Sequence, residues 1–111
     1  MAVPTAYAGQ LFGDPKLPQM LYLRGLGKIN PGDPDITSYV WTMTALPPAS
    51  VVNQGKYGDF NNGQAVITGP PFSANPGDVL LPLDVHGTYS FSFAAFNSDG
   101  SSALATISVT V

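Results

Sequence analysis

Gly87-Thr88-Tyr89-Ser90-Phe91-Ser92-Phe93-Ala94-Ala95-Phe96-Asn97 is the stretch on which the fold turns. Tyr89, Phe91, Phe93 and Ala95 recur at every second position, and Thr88, Ser90, Ser92 and Ala94 fall between them. A period of two marks a strand with one face in a core and the other in water. Ser98-Asp99-Gly100-Ser101 then supplies turn chemistry. Ala103, Ala105, Ile107, Val109 and Val111 form one face of a returning strand, with Thr106, Ser108 and Thr110 opposite. The pair predicts an antiparallel hairpin with one wet face.

Working upstream, residues 36–44 show the same alternation, with Tyr39, Trp41 and Met43 on the core side. Pro47-Pro48 stops this strand, since neither proline donates to a ladder. Asn62-Gly63 predicts a tight type I′ turn, with residues 64–68 returning from it. Short strands are expected at residues 50–53 and 57–60, and a long loop over 69–78. Residues 19–24 suit a strand with Leu21 and Leu23 inward, closed by Gly25 and Gly27. Before it, Pro4, Gly9, Gly13, Pro15 and Pro18 interrupt the chain often enough to predict an extended arm over residues 1–18, carrying at most one edge strand. About seven short strands in roughly 100 residues describe an all-β, immunoglobulin-like antiparallel β-sandwich over residues 19–111.

Composition agrees and removes several functions. The chain has 111 residues with 12 Gly and 11 Pro, only 10% are charged, and the seven acidic residues are all Asp. Helical surfaces are built from Glu, Lys and Arg, so helix is disfavoured. One domain of this size buries roughly 65% of its extended surface, enough for a core without disulfides. Four basic residues and a net charge of −3 do not furnish the positive surface that nucleic acid requires. With no Cys and one His, zinc clusters and thiol chemistry are excluded. No apolar run reaches the length of a membrane helix, and Met1-Ala2-Val3-Pro4-Thr5 has neither a basic segment nor a long apolar stretch, so no secretion signal is expected.

Leu23-Arg24-Gly25, Pro34-Asp35-Ile36-Thr37-Ser38-Tyr39-Val40-Trp41-Thr42 and Leu46-Pro47-Pro48-Ala49-Ser50 resemble, in order and spacing, the first half of polycystic-kidney-disease (PKD)-like immunoglobulin-type domains. Leu83-Asp84-Val85-His86-Gly87-Thr88-Tyr89, Asn97-Ser98-Asp99-Gly100 and Ile107-Ser108-Val109-Thr110-Val111 resemble the second half. The resemblance covers residues 19–111; Ala49 stands where that family has glycine, and residues 53–80 follow none of its pattern. It implies a sandwich, and PKD-like domains are usually pieces of larger secreted or surface proteins. Free-standing immunoglobulin-like domains of this size resemble phage virion accessory proteins. Within such a sandwich Trp41 fills the space between sheets. Tyr89 is expected to turn its hydroxyl back onto the preceding loop as a tyrosine corner, with Gly87 permitting the bend.

Residues carrying chemistry are few. His86 lies beside the Gly87 bend with no nucleophile brought to it by strand parity, so a surface histidine is expected and no enzyme. Asp33 and Asp35 are the candidate calcium ligands, since some PKD-like domains resemble calcium binders at loop ends. An EF-hand register fails there, and Pro31-Gly32-Asp33-Pro34 is ordinary turn chemistry. No other cofactor is expected. Val3, Tyr7, Leu11 and Phe12 make the arm a docking element for a protein partner, and Tyr57, Phe60 and Phe72 are candidate aromatics for a glycan or partner; Tyr22 and Phe96 sit off the core parity of their strands. The expected function is a non-enzymatic structural or interaction module, a capsid-decoration or other virion protein docking through its arm or an edge strand, with self-association on a lattice. The alternative is a carbohydrate-binding or adhesion module of a secreted bacterial protein, which would place the chain outside the cell or at its surface.

Overall fold

Alternation in the C-terminal third builds the centre of the larger of two layers. A computed structural model describes residues 3–10, 20–68 and 76–111. Its strands in chain order are β1 (Thr5–Gln10), β2 (Met20–Lys28), β3 (Ser38–Ala45), β4 (Lys56–Tyr57), β5 (Phe60–Asn61), β6 (Gln64–Thr68), β7 (Val79–Pro82), β8 (Thr88–Asn97), β9 (Gly100–Ser101) and β10 (Ala105–Thr110). Seven of these have four or more residues. One sheet runs β1-β2-β7 and the other β10-β8-β3-β6-β5-β4, every pairing being antiparallel, with β9 also on β8. The chain passes between layers after β2, after β6 and again after β7. The result is an all-β antiparallel sandwich, compatible with the immunoglobulin-like class.

The core sits where parity places it. Trp41, Tyr89, Phe91, Phe93, Leu21, Leu23 and Leu81 are essentially without solvent contact. The Trp41 ring lies 4.8 Å from Phe93 and meets Phe91 edge-on at 6.4 Å. Its indole Nε1 donates to Gly77 O across the layers at 2.8 Å, so burying the ring leaves no orphaned donor. Asn62 and Gly63 take φ of 51° and 82°, both positive as a type I′ turn requires, and β6 returns from them alongside β3.

Several local expectations are corrected. Gly25 and Gly27 do not close the second strand: β2 runs through both to Lys28. A Cβ on Gly25 would stand 2.3 Å from the Phe93 ring, and one on Gly27 would stand 2.6 Å from Ile36, so these glycines admit side chains from the facing sheet. Residues 50–53 form turns instead of a strand, with Ser50 N donating to Pro47 O and Gln54 N to Val51 O, while Val52 drops into the core. Residues 57–60 break into β4 and β5 around Gly58, whose φ is +58°. Val79–Pro82, a short apolar run without alternation, is strand β7. The outer face of β8 is only partly wet, because Ser92 and Ala94 are small and their neighbours on β3 and β10 cover them.

Candidate functional site

The outer face of the β1-β2-β7 sheet carries three of the large apolar side chains that the fold leaves in solvent, Tyr7, Tyr22 and Leu26. Ala6 and Ala8 of β1 turn inward onto the core, which sends Tyr7 outward. On β2 the inward positions are Leu21, Leu23, Gly25 and Gly27, which sends Tyr22, Arg24, Leu26 and Lys28 outward. The register sets Tyr7 directly opposite Leu26, Thr5 opposite Lys28, Gly9 opposite Arg24, and Tyr22 opposite Leu80 of β7. Exposure reaches 53% for Tyr7, 43% for Leu26, 40% for Tyr22 and 43% for Val3 just ahead of β1.

Among the described residues one ion pair is set into this face. Arg24 donates from Nε to Asp78 Oδ1 at 3.2 Å and from Nη2 to Oδ2 at 3.3 Å, a two-pronged contact with both groups partly covered. Asp78 is held there by its neighbour: Gly77 O accepts from both Trp41 Nε1 and Gly25 N. A Cβ on Gly77 would lie 2.1 Å from Gly25 O, so only glycine lets the two backbones approach this closely. The guanidinium is thus neutralised and fixed between Tyr22 and Leu26. Tyrosine and arginine are enriched at protein interfaces, and both stand on this face beside Leu26.

The sequence-predicted residues separate into groups. Tyr7 lies exposed at this face and Val3 is exposed ahead of β1 beside Gly100 of the larger sheet, while Leu11, Phe12 and Phe72 lie outside the described residues. Tyr57 is half-buried against the core. Phe60, expected as a surface aromatic, is fully buried 5.8 Å from the Phe91 ring and presents nothing to a ligand; the Gly58-Asp59 turn folds it inward. Leu26 was missed because the strand was ended at Gly25. The same alternation carried two residues further, from Tyr22 through Arg24, would have found it.

Asp33 takes part in a turn in which its N donates to Asn30 O at 3.1 Å, with Gly32 at φ +91°, and Asp35 is exposed. Among the described residues no three His, Cys, Asp or Glu side chains come together. His86 is exposed, its Nδ1 3.3 Å from Val111 O. Asp84 has structural partners: Ser50 Oγ and Val51 N donate to its two oxygens at 2.7 and 2.8 Å, and Tyr89 Oη lies 2.9 Å away. Burial opposes its charge, but the hydrogen bonds from Val51, Ser50 and Tyr89 outweigh it and hold the carboxyl below its ordinary range. Among the described residues no helix is long and apolar enough to cross a membrane. Set against family profiles, curated proteins and solved structures, the chain gives no significant match in any of the three.

Proposed function

We propose that this chain is a non-enzymatic docking module of the PKD-like immunoglobulin type, a decoration or other surface protein of a phage virion that sits on a capsid protein through the outer face of β1 and β2. The observation that carries this reading is the alignment of Tyr7 with Leu26, flanked by Tyr22 and the neutralised Arg24, on a sheet whose inner face is filled by the core. Such a patch gains affinity by removing apolar area from water, at about 25 cal/mol per Å² before the costs of association. Cosedimentation with assembled capsid shells of the encoding phage tests it. Wild type is expected in the pellet and the double variant Tyr7→Ser, Leu26→Ser in the supernatant. Wild type left in the supernatant, or a double variant that still pellets, overturns the reading.

A second reading, a polysaccharide-binding module of a secreted bacterial protein, is favoured by the two tyrosine rings on one strand pair. Retention on immobilised polysaccharide, lost in Tyr7→Ala and in Tyr22→Ala, would select it.

A further inference from the structure

Strand β10 ends the larger sheet and bonds to β8 on one side. Gly87 and Val111 exchange both main-chain bonds, Gly87 N to Val111 O at 3.2 Å and Val111 N to Gly87 O at 2.9 Å. In an antiparallel ladder bonded pairs alternate, so Val109, Ile107 and Ala105 also bond to β8. The N–H and C=O groups of Thr106, Ser108 and Thr110 therefore point away from β8. Side-chain geometry agrees: Thr110 Oγ1 lies 2.9 Å from Thr88 Oγ1 and Ser108 Oγ 2.9 Å from Ser90 Oγ, the close approach expected at the non-bonded positions. Among the described residues no main-chain partner meets that outer side, and Thr106, Ser108 and Thr110 are exposed.

Two of the three other sheet edges are guarded, while β1, which packs beside β10, is uncharged like it. Asp59 closes β7, its N donating to Leu80 O at 2.9 Å and its Oδ2 accepting from Leu80 N at 2.8 Å. At the far side of the larger sheet, β4 is two residues long and carries Lys56. Strand β10 has none of these devices: Ala105–Thr110 holds no charge, no proline and no bulge.

We infer that β10 pairs antiparallel with β10 of a second copy about a two-fold axis through Ser108, joining the two larger sheets into one. The strand is chemically palindromic about that residue. Thr106 meets Thr110, Ile107 meets Val109, and Ser108 meets its symmetry mate, which extends the hydroxyl pairs already present between β8 and β10. A contact of one strand is small, so the pairing lies at the weak end of protein interfaces and is read from its concentration dependence. The inference stands on the strand itself and not on the virion reading, since the β1-β2 face takes no part.

Sedimentation equilibrium over rising concentration tests it. Wild type is expected to move from the 11.6 kDa chain mass toward twice that value. Ser108→Asp alone and Ser108→Lys alone are expected to stay single, because like charges then face each other across the axis. Mixing the two is expected to restore the double mass, which also shows that both variants are folded. Thr106→Pro, which removes an outward N–H and leaves the bonds to β8, is expected to stay single with its thermal midpoint kept. Wild type that remains single at the highest concentration, or charged variants that associate as wild type does, overturns the inference.

Discussion

Tyr89 is the residue on which the turn before β8 hangs. Its Oη lies 2.6 Å from Val85 O and 2.9 Å from Asp84 Oδ1, and it accepts from Val85 N at 3.1 Å. Tyr89→Phe keeps the ring in the core and removes these contacts, so a loss of about 1–3 kcal/mol in urea unfolding is expected. Asp84 extends the same network to Ser50 and Val51. Because its folded-state pKa is depressed, its contribution is complete above the ordinary value of 3.8 and is lost as pH falls below it. The stability gap between wild type and Asp84→Asn is therefore expected to be widest near neutral pH and to close in acid, as read from urea midpoints across pH. Gly77 is the other fixed point. Gly77→Ala pushes a methyl group into Gly25 O, a backbone atom that has nowhere to go, and is expected to lower stability by about 1–3 kcal/mol and to loosen the Trp41 and Arg24 contacts with it. The tyrosine corner and the buried Trp41 were both legible in the sequence, since each is a large ring at a core parity position. Gly77 was not, because its need for a bare backbone comes from a partner 52 positions away in the chain, Gly25.

Among the elements, strands β8 and β3 and β10 from Ala105 onward could be read almost residue by residue, because alternation is strict, whereas Ala103, expected on the core face, is exposed, and Gly100–Ser101, expected within the turn, pair with β8 as β9. The Asn62-Gly63 turn was also legible locally. Strands β2 and β7 show where local reading stops. Glycine punctuates most strands, but in β2 it makes room for Phe93 and Tyr39, a demand set by the opposite sheet. Strand β7 is four residues whose partner β2 lies more than fifty positions earlier, and whose free edge is closed by Asp59. Gly58 brings that aspartate into place: it holds φ +58°, and a Cβ there would stand 2.2 Å from Leu80 O. Gly58→Ala is expected to cost about 1–3 kcal/mol and to speed amide exchange at Leu80, measured by hydrogen exchange with mass spectrometry. Asp59→Ala is expected to expose the same amide with a smaller loss of stability.

For the molecule as a whole, the few charges are distributed unevenly. The outward positions of β3, β6, β8 and β10 carry Ser, Thr, Val, Ala, Gln and Phe without a single charge, while Arg24 and Lys28 both stand on the β1-β2 face. Low charge was visible from composition; which face carried what remainder depended on the register of β2, and so on reading past Gly25. The proposed docking through Tyr7, Tyr22 and Leu26 would be mainly apolar, with Arg24 already paired, so under that proposal affinity for the shell is expected to change little up to about 0.5 M salt. The most direct measurement is hydroxyl-radical footprinting of side chains, comparing the free chain with the chain bound to capsid shells. Protection is expected at Tyr7, Tyr22 and Leu26, with Val66 and Leu104, exposed elsewhere on the molecule, remaining as reactive as in the free chain. Protection of Val66 and Leu104 with Tyr7, Tyr22 and Leu26 unchanged would contradict the account.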